Sequence, residues 1–195
     1  MSTAARRQPE SRAQLNDLQD QLKAAASRAE QLAGGLSGTQ LEHRPLRDRW
    51  SIAECLKHLT LTSRAYLPII DCAIEEARLS GLLGGGPFRM DWMGRVLKWV
   101  VEPPVRIRVR TKAEFHPPET ALSVRALPEF LETQEQLLRA LQRVNGIALD
   151  RIQVISPFDP RVHYNLFSCF HLLAAHQRRH LWQAEGVRKE LPAVG

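Results

Sequence analysis

The sequence predicts an all-α fold, a bundle of four long helices with one long crossover between the second and the third. Three observations predict it. Four segments carry apolar residues spaced threes and fours apart, the repeat of one helix face. Capping and stop residues stand at the ends of those segments. A single connection of about 40 residues, rich in glycine and proline, separates the second segment from the third.

The first segment runs from about residue 10 to 33, with Leu15, Leu18, Leu22, Ala25, Ala29 and Leu32 on its stripe and Gly34-Gly35 as its stop. Residues 1–9 read as a short polar tail. The second opens at Ser51 in RWSIAE, where Ser51 and Glu54 have the spacing of a capping box and Trp50 is placed to staple the first turn. It reaches toward Leu79, with a kink expected at Pro68, because a mid-helix proline removes one hydrogen bond. The third starts near Pro128, carries Phe130, Leu131, Leu137, Leu138, Leu141 and Val144, and stops at Asn145-Gly146. The fourth spans about 165 to 188. Within the crossover, about 81 to 122, MDWMGRVLKWVV reads as a short helix with Trp92, Val96 and Trp99 on one side. Such a face caps an open end of the bundle or meets a second subunit.

A chain of 195 residues fits one domain that buries a core without staples. Cys55, Cys72 and Cys169 form neither a disulfide framework nor a Cys-x-x-Cys pattern, which favours a reducing cytoplasm. The start, MSTAARRQPESRAQ, is polar and has no signal-peptide core. No apolar run approaches the roughly 20 residues that span a bilayer. The net charge is +6, and Arg106, Arg108, Arg110 and Lys112 alternate in PPVRIRVRTK. In an extended segment all four would share a face. Without interleaved aromatic residues or a binding motif, no nucleic-acid partner is expected. A solvated edge or an attraction for small anions suits the run better.

Chemistry concentrates in AAHQRRHLWQ. His176 and His180 lie four apart, about 40° around a helix, on the side that also carries Cys169, Leu173 and Val187. His171 points away, and His163 precedes the helix. Imidazoles facing a core need partners. A metal is one answer, and ordinary hydrogen bonds are another. His58 on the second helix, at the edge of a face with Cys55, Leu59, Thr62, Tyr66 and Ile69, is a candidate third ligand. Three protein ligands with an open position suit catalysis. A HExxH protease is excluded, because Gln177 stands where that motif has its glutamate base. Glu54, one turn before His58, is a candidate partner for that ring, and Gln183 is a candidate for orienting a ligand. Cys169 reads as a small core residue.

RWSIAECLKHL resembles the Trp-Ser-Ile-x-Glu…His-Leu signature that opens the second helix of the DinB-like superfamily, and LLAAHQRRHLWQ resembles that family's closing helix. KAEFHPPE and LDRIQVISPF are similar to its connections, so the resemblance covers roughly Leu15 to Arg188. It implies an up-down-down-up four-helix bundle, often dimeric, with His58, His176 and His180 holding a divalent cation, nickel or zinc more readily than iron or manganese. It also implies an enzyme acting on a small molecule, by thiol-dependent transfer or isomerisation with a low-molecular-weight thiol, or by metal-assisted hydrolysis. Arg178, Arg179 or the basic run would then meet carboxylates on the thiol. The rival expectation is a non-catalytic binding module that uses the basic and tryptophan-bearing crossover.

Overall fold

The computed structural model describes residues 3–104, 106–107, 113–117 and 123–192, with side chains from Glu10 onward. The chain is mostly helical: α1 Thr3–Ala33, α2 Gly38–Glu42, α3 Ile52–Leu79, α4 Trp92–Val101, α5 Ser123–Arg143 and α6 Leu166–Lys189. A 3-10 turn at Ala113–Phe115 lies in the crossover, and two short strands, β1 Gln153–Ile155 and β2 His163–Asn165, precede α6. The chain is mostly helical, as the all-α expectation has it, and the two strands are the part that this expectation does not include. They pair antiparallel with Val154 opposite Tyr164, and both of those side chains are buried. Three residues per strand are too few to display a period of two along the sequence, so the ribbon forms where a β-branched residue and an aromatic one cover the core together.

Two helix starts also differ from expectation. The backbone of α1 is already helical at Thr3. Ala4, Ala5, Arg6, Arg7 and Gln8 are helix formers that need no apolar stripe to propagate a helix that is anchored further on. α5 begins at Ser123, more than a turn before Pro128. Pro128 is exposed, and the bond it removes belongs to the carbonyl of Val124, itself 83% exposed and open to water. Pro68 follows the same logic. It lies on the exposed side of α3, which continues through it to Leu79. The capping box forms as the spacing predicts: the Glu54 amide donates to Ser51 Oγ at 3.2 Å, and the Ser51 amide donates to Glu54 Oε2 at 2.8 Å.

α3 packs against α5 and α6, and α1 packs against the same two helices. Their apolar residues form two clusters. One gathers Leu22, Ile70, Leu137 and Leu173, and the other gathers Ala29, Leu56, Phe130 and Leu181. Between them along the helices lie buried polar groups, among them His58, Thr62, Gln134, Gln177 and His180. Two of the three candidate metal ligands, His58 and His180, are buried in this polar layer.

The crossover is fastened to α6. Asp91 caps α4 by accepting from the Gly94 amide at 2.8 Å, and it also accepts from the Ser168 hydroxyl at 2.9 Å and the Asn165 amide at 2.8 Å. Asn165 in turn caps α6, accepting from the Ser168 amide. One carboxylate therefore joins the starts of two helices. Gly94 is required at the contact, because a Cβ there would stand 2.2 Å from Ser168 Oγ.

Candidate metal centre and its cavity

His58 projects from α3, and His176 and His180 project from α6 one turn apart. One nitrogen from each ring lies within 4.8 Å of the other two. His58 Nε2 is 3.3 Å from His176 Nε2. The other nitrogen of His58, Nδ1, is 2.8 Å from the Phe115 carbonyl. A carbonyl only accepts, so Nδ1 carries the proton, and the neutral ring presents a bare lone pair at Nε2. Trp50 lies against the group, with its ring centroid 4.8 Å from that of His58 and stacked at 5.6 Å on His180.

All three rings are held neutral. Burial lowers His58 to about 4, opposed by the Phe115 hydrogen bond. His176 and His180 lie well below the usual imidazole value, through burial first and then the neighbouring rings and Arg179. Their Nδ1 atoms have no hydrogen-bond partner among the described residues. Three neutral, desolvated imidazole donors converging on one point make a set suited to a borderline divalent cation such as zinc or nickel.

The histidines end a cavity of about 390 Å³. α3 contributes His58, Thr62 and Tyr66 to its wall, at steps of one turn. By helical rise, His58 and Tyr66 are about 12 Å apart along the axis. α4 supplies Leu97, Val100 and Val101, and α6 supplies Leu172, Leu173 and Arg179. The ribbon and the loop between its strands add Phe158, Val162 and Tyr164 to the wall, with the Phe158 ring 6.3 Å from that of His176. Tyr66 Oη and Tyr164 Oη meet at 2.5 Å. Burial raises both phenols, so they keep their protons as hydrogen-bond donors.

A family model of the DinB superfamily matches residues 21–184, a span that holds all three histidines. The chain belongs to the DinB superfamily. Comparisons with curated proteins and with solved structures return no significant match. No helix among the described residues is long and apolar enough to cross a membrane.

Within this DinB-superfamily chain the residues expected around the histidines separate sharply. Glu54 does not partner His58. Its carboxylate is taken by Ser51 and by Arg44, whose Nε donates at 2.8 Å, and these contacts outweigh burial to lower its pKa. The Phe115 carbonyl holds His58 instead. Gln183 sits beside His180, where it favours the protonated ring against the larger effect of burial. Arg178 turns from the cavity to a two-pronged bond with Glu102 at 2.6 and 2.7 Å, whereas Arg179 lines the cavity. His171 packs edge-on against Phe167 and His163 is exposed, so neither joins the group. Burial drives the thiols of Cys55 and Cys169 up, which suits small core residues better than nucleophiles.

The crossover contributes more than its tryptophans. Trp92 and Trp99 are 66% and 56% exposed, so they do not cap the helices. The opposite side of α4 forms the cavity wall. Arg106 stacks over Trp99 at 5.3 Å, while Val105, Arg108, Val109, Arg110 and Lys112 of the basic run lie outside the described residues.

Proposed function

We propose that this chain is a divalent-metal-dependent enzyme that transforms a small molecule in the cavity beside His58, His176 and His180. The observation that carries the reading is the convergence of three neutral imidazoles at one end of an apolar cavity with room for a substrate. His58, held by the Phe115 carbonyl, and the His176/His180 pair would bind nickel or zinc, with iron or manganese as weaker fits. Such a metal lowers the pKa of a thiol or water brought to it, which serves thiol-dependent transfer or hydrolysis. The chain's own groups do the rest. The leucine and valine wall excludes water, the Tyr66/Tyr164 pair donates to a substrate oxygen, and Gln183 orients a group beside His180. We further propose the up-down-down-up bundle. In its support, α1 and α6 pass the cluster of Leu22 and Leu173 first, whereas α3 and α5 pass that of Leu56 and Phe130 first.

Elemental mass spectrometry on protein purified without a nickel column tests the site. The expected result is about one equivalent of divalent metal per chain, lost in His176→Ala and in a triple alanine variant whose helicity is unchanged. Stoichiometric metal retained by the triple variant would overturn it. A second reading rests on the exposed Trp92 and Trp99 with Arg106 beside them: a binding module acting through the crossover. It requires binding to an anionic surface that weakens steeply with salt, and a flat salt response removes it.

A further inference from the structure

Charge along the cavity wall is unevenly answered. Two of its residues are ionised, Asp159 and Arg179. Asp159 is paired with Arg161 at 2.9 Å. Arg179 is half-buried and has no carboxylate partner among the described residues. Its Nη1 donates to the Val100 carbonyl at 3.0 Å and its Nη2 to the Ile107 carbonyl at 3.1 Å. Those bonds fix the guanidinium without neutralising it, and they leave three of its five N–H groups for another acceptor. The adjacent Arg178 shows the contrast, since Glu102 neutralises it fully. A cation held on an apolar wall, with no anion of its own among the described residues, suits the binding of one.

Thr62 is an independent sign that the cavity is built for a ligand. It is 2% exposed, lines the cavity one turn from His58, and its hydroxyl has no partner among the described residues. A buried hydroxyl without a partner costs free energy that a ligand's oxygen would recover. The remaining wall is dominated by Leu97, Val101, Phe158, Val162, Leu172 and Leu173, which excludes a heavily hydroxylated or multiply charged molecule.

We propose that the cavity selects a small apolar carboxylate, with its anionic group on Arg179 and its body among the aliphatic and aromatic side chains that α4, α6 and the ribbon loop contribute. The proposal rests on reading this cavity as the substrate site. A divalent metal at the histidines would add positive charge and strengthen the same preference, but Arg179 exerts it without one.

Isothermal titration with 4-phenylbutyrate and its neutral isostere 4-phenylbutanamide tests this. Wild type, Arg179→Gln and Arg179→Lys are compared, each chelator-treated and each zinc-loaded, with zinc content measured on the same samples. Metal-free wild type is expected to prefer the carboxylate by on the order of tenfold. Arg179→Gln abolishes that preference while keeping amide affinity, and Arg179→Lys retains part of it. Equal binding of the two probes, no binding of either, or a preference that survives Arg179→Gln overturns the proposal. So does equal weakening of both probes in Arg179→Gln, which would make Arg179 only a strap on the crossover. Because the preference is read in metal-free protein, it stands or falls separately from zinc binding.

Discussion

Acidifying the metal-free protein from about pH 7.5 to about pH 5.5 is expected to weaken its fold, because three buried imidazoles must stay neutral there. The pKa of His58 is lowered from 6.5 to about 4, chiefly by burial. The unfolded chain therefore takes up this proton first as the pH falls. The stability that the neutral ring contributes is fully present above about pH 6.5 and declines until the folded ring itself titrates near pH 4. At about pH 5.5 the loss from His58 alone is about 1.4 kcal/mol, rising to about 3 kcal/mol when the window is complete. His176 and His180 shift the same way and add to it. The ionised forms of Glu54 and Glu102 are favoured by Arg44 and Arg178, so these carboxylates stay charged over this range. Urea unfolding followed by circular dichroism, with chelator present, measures the difference at the two pH values. His171, lowered to about 4 by burial, contributes in the same direction, and His171→Asn subtracts its share. His58→Leu is expected to remove its own share of about 1.4 kcal/mol at about pH 5.5, leaving that of His176 and His180. Equal unfolding midpoints at both pH values in wild type would refute the reasoning, because rings that are solvated or already charged in the folded state predict no loss.

Ser51→Ala removes the hydroxyl that accepts from the Glu54 amide. It is expected to cost about 1 kcal/mol, seen as a fall of about 2–4 °C in Tm, with metal content unchanged. Gly94→Ala forces a methyl group into Ser168 Oγ and is expected to cost about 1–3 kcal/mol. Since α4 carries Leu97 and Val101 into the cavity wall, titration should also show weaker phenylbutyrate binding, and adding Ser168→Ala should rescue neither loss, because the Ser168 Cβ still stands against the new methyl group.

What the sequence makes legible follows from how far each contact reaches along the chain. The Ser51/Glu54 box is legible because its partners lie three residues apart and act on their own backbone. His176 and His180 are legible as a pair for the same reason, since helical phase alone puts them together. His58 is legible as a candidate third ligand from its face on α3 and the bundle plan, with a hydrogen-bonded imidazole left as an equal alternative, and the resemblance favours the ligand reading. The Phe115 carbonyl that fixes the His58 ring, 57 residues away, leaves no mark at all: every residue has a carbonyl, and its use depends on where the crossover folds. The exposed tryptophans of α4 draw attention in the sequence, while the smaller Leu97 and Val101 on its other side form the working surface. Arg178 and Arg179 carry the limit furthest. As neighbours they are chemically identical in the sequence, and about 100° of helical phase separates them. That rotation turns one toward Glu102, 76 residues distant, and the other into the cavity. A salt bridge silences the first, and the second, with no carboxylate partner among the described residues, is the charge to which a ligand would answer.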